Sequence, residues 1–357
     1  MSISPEEFKA RHAARKAAET ESANGSTPPP PRAASHTDND HKAPEDLPPD
    51  FSQALLSARE LQALEIDPRP RLLGGWMREG DLGYLFAPRG GGKTWLAMLI
   101  GSAVADGYKL GEWAGGDGAR EVYYFDAEMN LADVKDRAAK LGIGGERFKF
   151  LSNEMLFSIA GHGVNIANTS HQAGLSAMLP DGCLFIIDNL STAQLGMSEN
   201  DNDSFDAIRD WLLKLRHRRI TVLIVHHAGR NGEMRGSSRR EDMAHWIIKL
   251  KDASDDDGKM KAFTTSFSKC RNCRAEEAPP LKWTLANVGD AITYTCTLHN
   301  GPDAMHGHII EGVTSATELA ELLGVAVGTV SKWSKKLIDA GRIRKSGREY
   351  HPIEWPI

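Results

Sequence analysis

The octapeptide Ala87-Pro-Arg-Gly-Gly-Gly-Lys-Thr94 combines a glycine-rich turn with an ammonium and a hydroxyl side chain. Consecutive glycines let backbone N–H groups converge on phosphate oxygens, a lysine reaches the β- and γ-phosphates, and a threonine hydroxyl ligates Mg²⁺. The pattern predicts a P-loop made by Ala87, Pro88, Arg89, Gly90, Gly91, Gly92, Lys93, Thr94 and the following Trp95, with ATP and Mg²⁺ as cofactors. Ala87 stands where such a loop usually opens on glycine, which requires negative φ at that position. Two acidic positions complete the chemistry. Asp188 closes an apolar run at 184–187, where a Walker B carboxylate would hold the Mg²⁺ together with Thr94. Glu128 and Asp126 both lie at the end of the run finishing at Phe125, two residues apart on one side of an extended chain, and either could orient the attacking water.

These groups need a scaffold, and the surrounding sequence supplies one. The loop joins the apolar Tyr84-Leu-Phe-Ala87 to the helical pattern Trp95-Leu-Ala-Met-Leu-Ile100. Short β-branched or aromatic runs at 121–125, 184–187 and 220–225 predict further buried strands. Helical spacing of Leu131, Val134, Ala138 and Leu141 follows Asn130 as N-cap and ends before Gly142; Phe205, Ile208, Leu212 and Leu215 repeat likewise after Ser204. Strands alternating with helices predict an α/β fold with a mostly parallel central sheet, whose ligand site lies at the carboxyl ends of the strands.

The chain has 357 residues, 41% of them hydrophobic, enough for one substantial core and a small module. No apolar run approaches the ~18 residues of a membrane span. Residues 1–10 lack the apolar centre of a signal peptide, so a cytoplasmic protein without membrane contact is expected. Four cysteines fit a reducing compartment. Cys270, Cys273, Cys296 and His299 have zinc-knuckle spacing, but the alternating pattern at 292–298 favours ordinary strand cysteines. Residues 1–50 are Pro-rich and poor in large apolar side chains, predicting a disordered tail ahead of a domain at 51–305. At 310–357 a capped helix (314–323), a turn, a second helix (327–340) and a hairpin (341–348) predict a winged helix-turn-helix. Net charge is −5, yet between Val327 and Arg348 there are seven Lys or Arg and one acid, Asp339. Lys332, Lys335, Lys336 and Arg344 are therefore candidate DNA contacts, although the same fold also docks proteins.

Taken together, Gly92-Lys-Thr94, Tyr124-Phe-Asp-Ala-Glu-Met129, Ile187-Asp-Asn189, Glu199-Asn200, Val225-His-His-Ala-Gly-Arg230, Met234-Arg-Gly-Ser-Ser238 and Lys269-Cys-Arg271 resemble the RecA-like hexameric helicases. The likeness is to the RepA-type plasmid helicases and, more distantly, the DnaB replicative helicases, over residues 72–298. It implies a RecA-like P-loop core with Lys93, Glu128 and Asp188 as catalytic groups and His226 as a γ-phosphate or DNA sensor. It also implies a homo-hexameric ring in which Lys269 and Arg271, with Arg235 as another candidate, reach a neighbouring subunit's nucleotide. Arg230 stands where relatives often carry Lys, and His245 where Asp is common. A ring brings the segment 229–240 to its channel, making Arg230, Arg239 and Arg240 candidate contacts to single-stranded DNA. The expected activity is an ATP-driven helicase or translocase in plasmid or mobile-element replication, partnered by a replication initiator or other replisome protein through tail or winged helix. The alternative is a nucleotide-switched ATPase that binds DNA or a partner without unwinding.

Overall fold

The structure, a computed structural model, describes residues 51–194, 202–229, 234, 238–254, 260–274, 277–299, 301–323 and 325–353. The tail expected at 1–50, together with Glu199, Asn200, Arg230, Arg235 and the side chain of Arg239, lies outside the described residues. The chain divides into two compact units, Met1–Pro68 and Arg69–Ile357. In the first, α1 (Ala58–Ala63) is closed by a capping box, the Ser57 hydroxyl accepting from the Glu60 N–H while the Glu60 carboxylate accepts from the Ser57 N–H. Among the described residues, no helix is long and apolar enough to cross a membrane.

The second unit runs β1 (Arg71–Leu73), β2 (Met77–Arg78), β3 (Leu82–Ala87), α2 (Lys93–Asp106), β4 (Val122–Asp126), α3 (Leu131–Lys140), β5 (Phe148–Ser152), α4 (Asn153–Ala160) and α5 (Thr169–Met178). Then come β6 (Leu184–Asp188), α6 (Leu190–Ala193), α7 (Asn202–His217), β7 (Thr221–His227), α8 (Ser238–Met243) and β8 (Trp246–Asp252). Three longer strands follow, β9 (Lys261–Cys270), β10 (Leu281–Val288) and β11 (Ala291–Leu298). The chain closes with α9 (Pro302–Ile310), α10 (Ala316–Leu322), α11 (Val327–Asp339), β12 (Ile343–Ser346) and β13 (Glu349–Pro352).

Nine strands form one sheet in the order β11-β10-β9-β8-β3-β7-β6-β4-β5. The six from β8 to β5 are parallel, and β9, β10 and β11 extend it antiparallel. The expected α/β class with a mostly parallel sheet is what the chain forms. The four apolar runs of the sequence became β3, β4, β6 and β7, each almost wholly buried because helices cover both faces. Side chains alternate between those faces. Leu85, Ile186, Leu223 and Val225 join the cluster around α2, whereas Tyr84, Phe185, Val222 and Ile224 join the one packed by α5 and α7. Asn130 caps α3 as expected, its side chain accepting from the Asp133 N–H at 2.8 Å. Ser204 does not cap its helix, since α7 begins two residues earlier at Asn202.

An aromatic knot holds the β1–β2 ribbon on the sheet. The Trp76 ring meets Trp113, Trp246 and Phe267 edge-on at centroid distances of 5.1, 4.8 and 5.2 Å. Gly83 on β3 makes room for it, because a Cβ there would fall 2.1 Å from the Trp246 ring. The C-terminal helices and the β12–β13 hairpin have their own cluster, built on Met305, Ile309, Leu319, Val330, Leu337 and Tyr350. Because Met305 and Ile309 belong to α9, that cluster starts at Pro302 and not at the expected 310.

Candidate active site

The P-loop leaves β3 at the carboxyl edge of the parallel sheet and enters α2. Gly90 and Gly92 take φ of +74° and +90°, open to glycine and costly for other residues. Gly92 has a second reason, since a Cβ would lie 2.6 Å from the Phe263 ring. Ala87 keeps negative φ, the condition its departure from glycine imposed. Lys93 is buried, with its Nζ donating to the carbonyls of Ala87 at 3.1 Å and Pro88 at 2.9 Å. Burial pulls its pKa down, and the Asp188 and Glu128 carboxylates oppose that shift.

Asp188 ends β6 one strand away from β3, with β7 between them. Its Oδ2 accepts from the Tyr124 hydroxyl at 2.6 Å, and its carboxylate also pairs with the Thr94 hydroxyl. Burial pushes the Asp188 carboxyl above the usual range, while these two hydroxyls pull it back. A hydroxyl and a carboxylate side by side at the mouth of a phosphate loop fit Mg²⁺, which takes one or two protein oxygens and completes its octahedron with phosphate and water. A cleft of about 350 Å³ collects these groups; besides the loop and Asp188 it is lined by Glu128, Met129, Arg137, Asn189 and His227.

The two acidic candidates after β4 separate cleanly. Asp126 is 1% exposed, and its Oδ1 accepts from the backbone N–H of Glu128 at 3.1 Å and of Met129 at 2.7 Å, so it ties the turn into α3. Its Oδ2 is buried without a hydrogen-bond partner, and burial, reinforced by the Asp188 and Glu128 charges, raises its pKa to about 7. Glu128 is exposed and faces the cleft, where the Asn189 amide donates to it; the same amide nitrogen lies 3.3 Å from His227 Nε2.

The expectation that His226 senses the γ-phosphate is corrected by strand parity. His226 is 0% exposed and shares a face with Val222 and Ile224, away from α2. Its Nε2 accepts from the Arg240 guanidinium at 3.2 Å. His227, one residue on, faces α2 and lines the cleft. Arg240 is corrected with it: 1% exposed beneath β7, it is no surface for DNA. Asn189 and His227 were missed, although an odd–even alternation along β7 was visible in its apolar residues.

Lys269 and Arg271 lie at the other end of the sheet. β9 runs antiparallel to β8 with Cys270 opposite Trp246, the Arg271 N–H donates to His245 O at 2.8 Å, and the His245 N–H donates to Leu82 O at 2.7 Å. That row is level with the start of β3, whereas the P-loop follows its end. Lys269 Nζ donates to the carbonyl of Glu241 and Arg271 to that of Asp242 at 2.9 Å, both on α8. The adjoining Asn272 amide donates to the Asp81 carboxylate. His245 sits in this corner as a neutral acceptor, its Nδ1 receiving the Leu82 N–H at 3.0 Å; burial drops its pKa to about 4 and raises that of Asp81 to about 6. Cys270 and Cys273 are joined as a disulfide, where free thiols were expected. On α11, Lys332, Lys335 and Lys336 are exposed along one face, and Arg344 is exposed on β12.

The AAA domain family model AAA_25 matches residues 45–233, more than half of the chain, and the chain belongs to that family. It is a P-loop ATPase of RecA-like fold, and its loop, Thr94 and Asp188 are the parts with which such a fold holds ATP and Mg²⁺. Among solved structures it is similar to the KaiC-like protein PH0186 of the hyperthermophilic archaeon Pyrococcus horikoshii, at 19% identity over 64% of this chain and 99% of that one, with a TM-score of 0.43. It is also similar to the flagellar accessory protein FlaH of Methanocaldococcus jannaschii, at 9% identity over 60% of this chain and 89% of that one, with a TM-score of 0.40. No curated protein matches it.

Proposed function

We propose that the chain is an ATP-driven helicase or translocase on single-stranded DNA, working as a ring of identical subunits in plasmid or mobile-element replication. The observation that carries this reading is the separation of Lys269 and Arg271 from their own cleft. Five residue steps along β3 place them about 17 Å from the P-loop. Arg271 is exposed and its loop is tied down through Asn272 and Asp81, so its charge suits the nucleotide of an adjoining subunit, with Arg235 as a further candidate. The segment 229–240, which carries Arg230 and Arg239, leaves the sheet directly after His227, at the edge that holds the cleft.

Within one subunit, Lys93 and the loop N–H groups bind the triphosphate, and Glu128, held by Asn189, orients the attacking water. Bound Mg²⁺, held by Thr94 and Asp188, would neutralise charge on the leaving phosphates. His227 stands where it can register the γ-phosphate and pass its loss to the segment that follows. The C-terminal helices and hairpin act as a winged helix, presenting Lys332, Lys335, Lys336 and Arg344 to duplex DNA, with a replication initiator or other replisome protein as the competing occupant.

The test is mixing. Arg271→Ala should abolish ATPase with nucleotide binding retained, and adding Glu128→Gln subunits should restore part of the activity at interfaces that combine intact halves. Turnover that is independent of protein concentration, in a monomer, defeats the shared site. A concentration-dependent ATPase that never displaces a DNA strand leaves the nucleotide switch as the function.

A further inference from the structure

A second hollow, of about 440 Å³, adjoins the phosphate cleft and is assigned no role by the hydrolysis chemistry. The two share Trp95 and Arg137. Trp95 follows Thr94 at the N-terminal turn of α2, so a group leaving the α-phosphate end of a bound triphosphate meets its indole first. The ring is half-buried, and the Arg137 guanidinium lies 5.1 Å from its centroid. Across the hollow stand Leu285, Ala286 and Asn287 at the end of β10, with Ile292 at the start of β11.

We infer that this hollow takes the base of the nucleotide, with adenine stacked on Trp95 and its edge read by Asn287; the inference rests on the ATPase reading. The chemistry of the lining argues for a flat heteroaromatic ring. An indole and the aliphatic side chains of Leu285 and Ile292 offer apolar faces, whereas the rim carries a neutral amide. Other charged groups of the rim are already engaged: Asp136 with Lys140 at 2.7 Å, Lys261 with Asp252 at 2.9 Å, and Asp133 with Asn130 at 2.6 Å. Asn287 is exposed at the mouth. A carboxamide offers one donor and one acceptor side by side, the complement of the adenine amino group and its neighbouring ring nitrogen, and a mismatch for the guanine carbonyl.

The experiment compares three probes on the full chain with Mg²⁺: ATP, GTP and inorganic tripolyphosphate, the last having phosphates and no base. Trp95→Ala should weaken ATP about tenfold, the scale of one base–aromatic stack, and leave tripolyphosphate unchanged. Trp95→Phe should keep most ATP affinity, which separates stacking from a folding defect. Asn287→Ala should weaken ATP more than GTP. Equal weakening of ATP and tripolyphosphate by Trp95→Ala, or none of either, overturns the base site while leaving the phosphate loop standing. A wild-type chain that binds neither probe overturns the nucleotide reading and this site together.

Discussion

Two carboxylates two residues apart should respond to amide substitution in opposite ways. Glu128→Gln keeps the shape of a cleft-lining group and removes its capacity to accept a proton, so turnover should fall about 10²–10⁴-fold with nucleotide affinity unchanged. At about 1.4 kcal/mol per tenfold, that is about 3–5 kcal/mol of transition-state stabilisation. Asp126→Asn preserves the acceptor atom that receives the N–H groups of Glu128 and Met129 and deletes a charge that burial disfavours, so ATPase should survive. It should also change the stability profile, with a sign that follows from linkage. The native carboxyl keeps its proton up to about pH 7, whereas the unfolded one releases it near the ordinary 3.8. The folded state therefore binds more protons in between, and wild-type stability declines as pH rises through that window. The full effect is a few kcal/mol, at about 1.4 kcal/mol per pKa unit. Urea unfolding of nucleotide-free protein, in unit steps from about pH 5 to about pH 8, should show the Asp126→Asn advantage growing and then levelling above about pH 7. Phosphate release by the same proteins gives the catalytic arm. Loss of turnover in Asp126→Asn equal to that in Glu128→Gln, or an advantage flat across pH, would refute the assignment.

Gly83→Ala should cost about 3 kcal/mol or more, at or beyond the usual overpacking range, because the new methyl collides with a Trp246 ring that Trp76 already hems in. A urea midpoint shift worth less than about 1 kcal/mol would mean that the knot can move. Replacing Lys332, Lys335 and Lys336 together by Gln should flatten the slope of log duplex affinity against log salt by about 2–3, since each phosphate contact contributes about 0.7–0.9. An unchanged slope with lost partner binding would make the lysine face a solvated side of a docking module.

The parts legible in the sequence are the local ones. β3, β6 and β7 announce themselves because strands buried on both faces are continuously apolar, and the glycines of the P-loop have no other conformational reason to be adjacent. β5 and β8 were less visible, since exposed Lys149 and Lys251 interrupt their apolar character. The choice between His226 and His227 needs the knowledge that α2 covers the odd-numbered face of β7, which only the assembled sheet provides. Arg240 looked like surface charge in a run of arginines, but α8 turns it under β7 against His226. For Asp126 a signal did exist: an Asp at a strand end with free N–H groups two and three residues on is the signature of an Asx turn.

The aromatic knot also gives the protein a silent optical background. Trp76, Trp113, Trp246 and Trp283 are buried against one another and the sheet, so their emission answers to unfolding and is indifferent to what enters the cleft. Trp95 is different, a half-buried indole at the junction of two hollows. The chain therefore carries two colours of the same fluorophore, a blue-shifted one that reports whether the molecule is intact and a solvent-touched one that reports whether its site is filled.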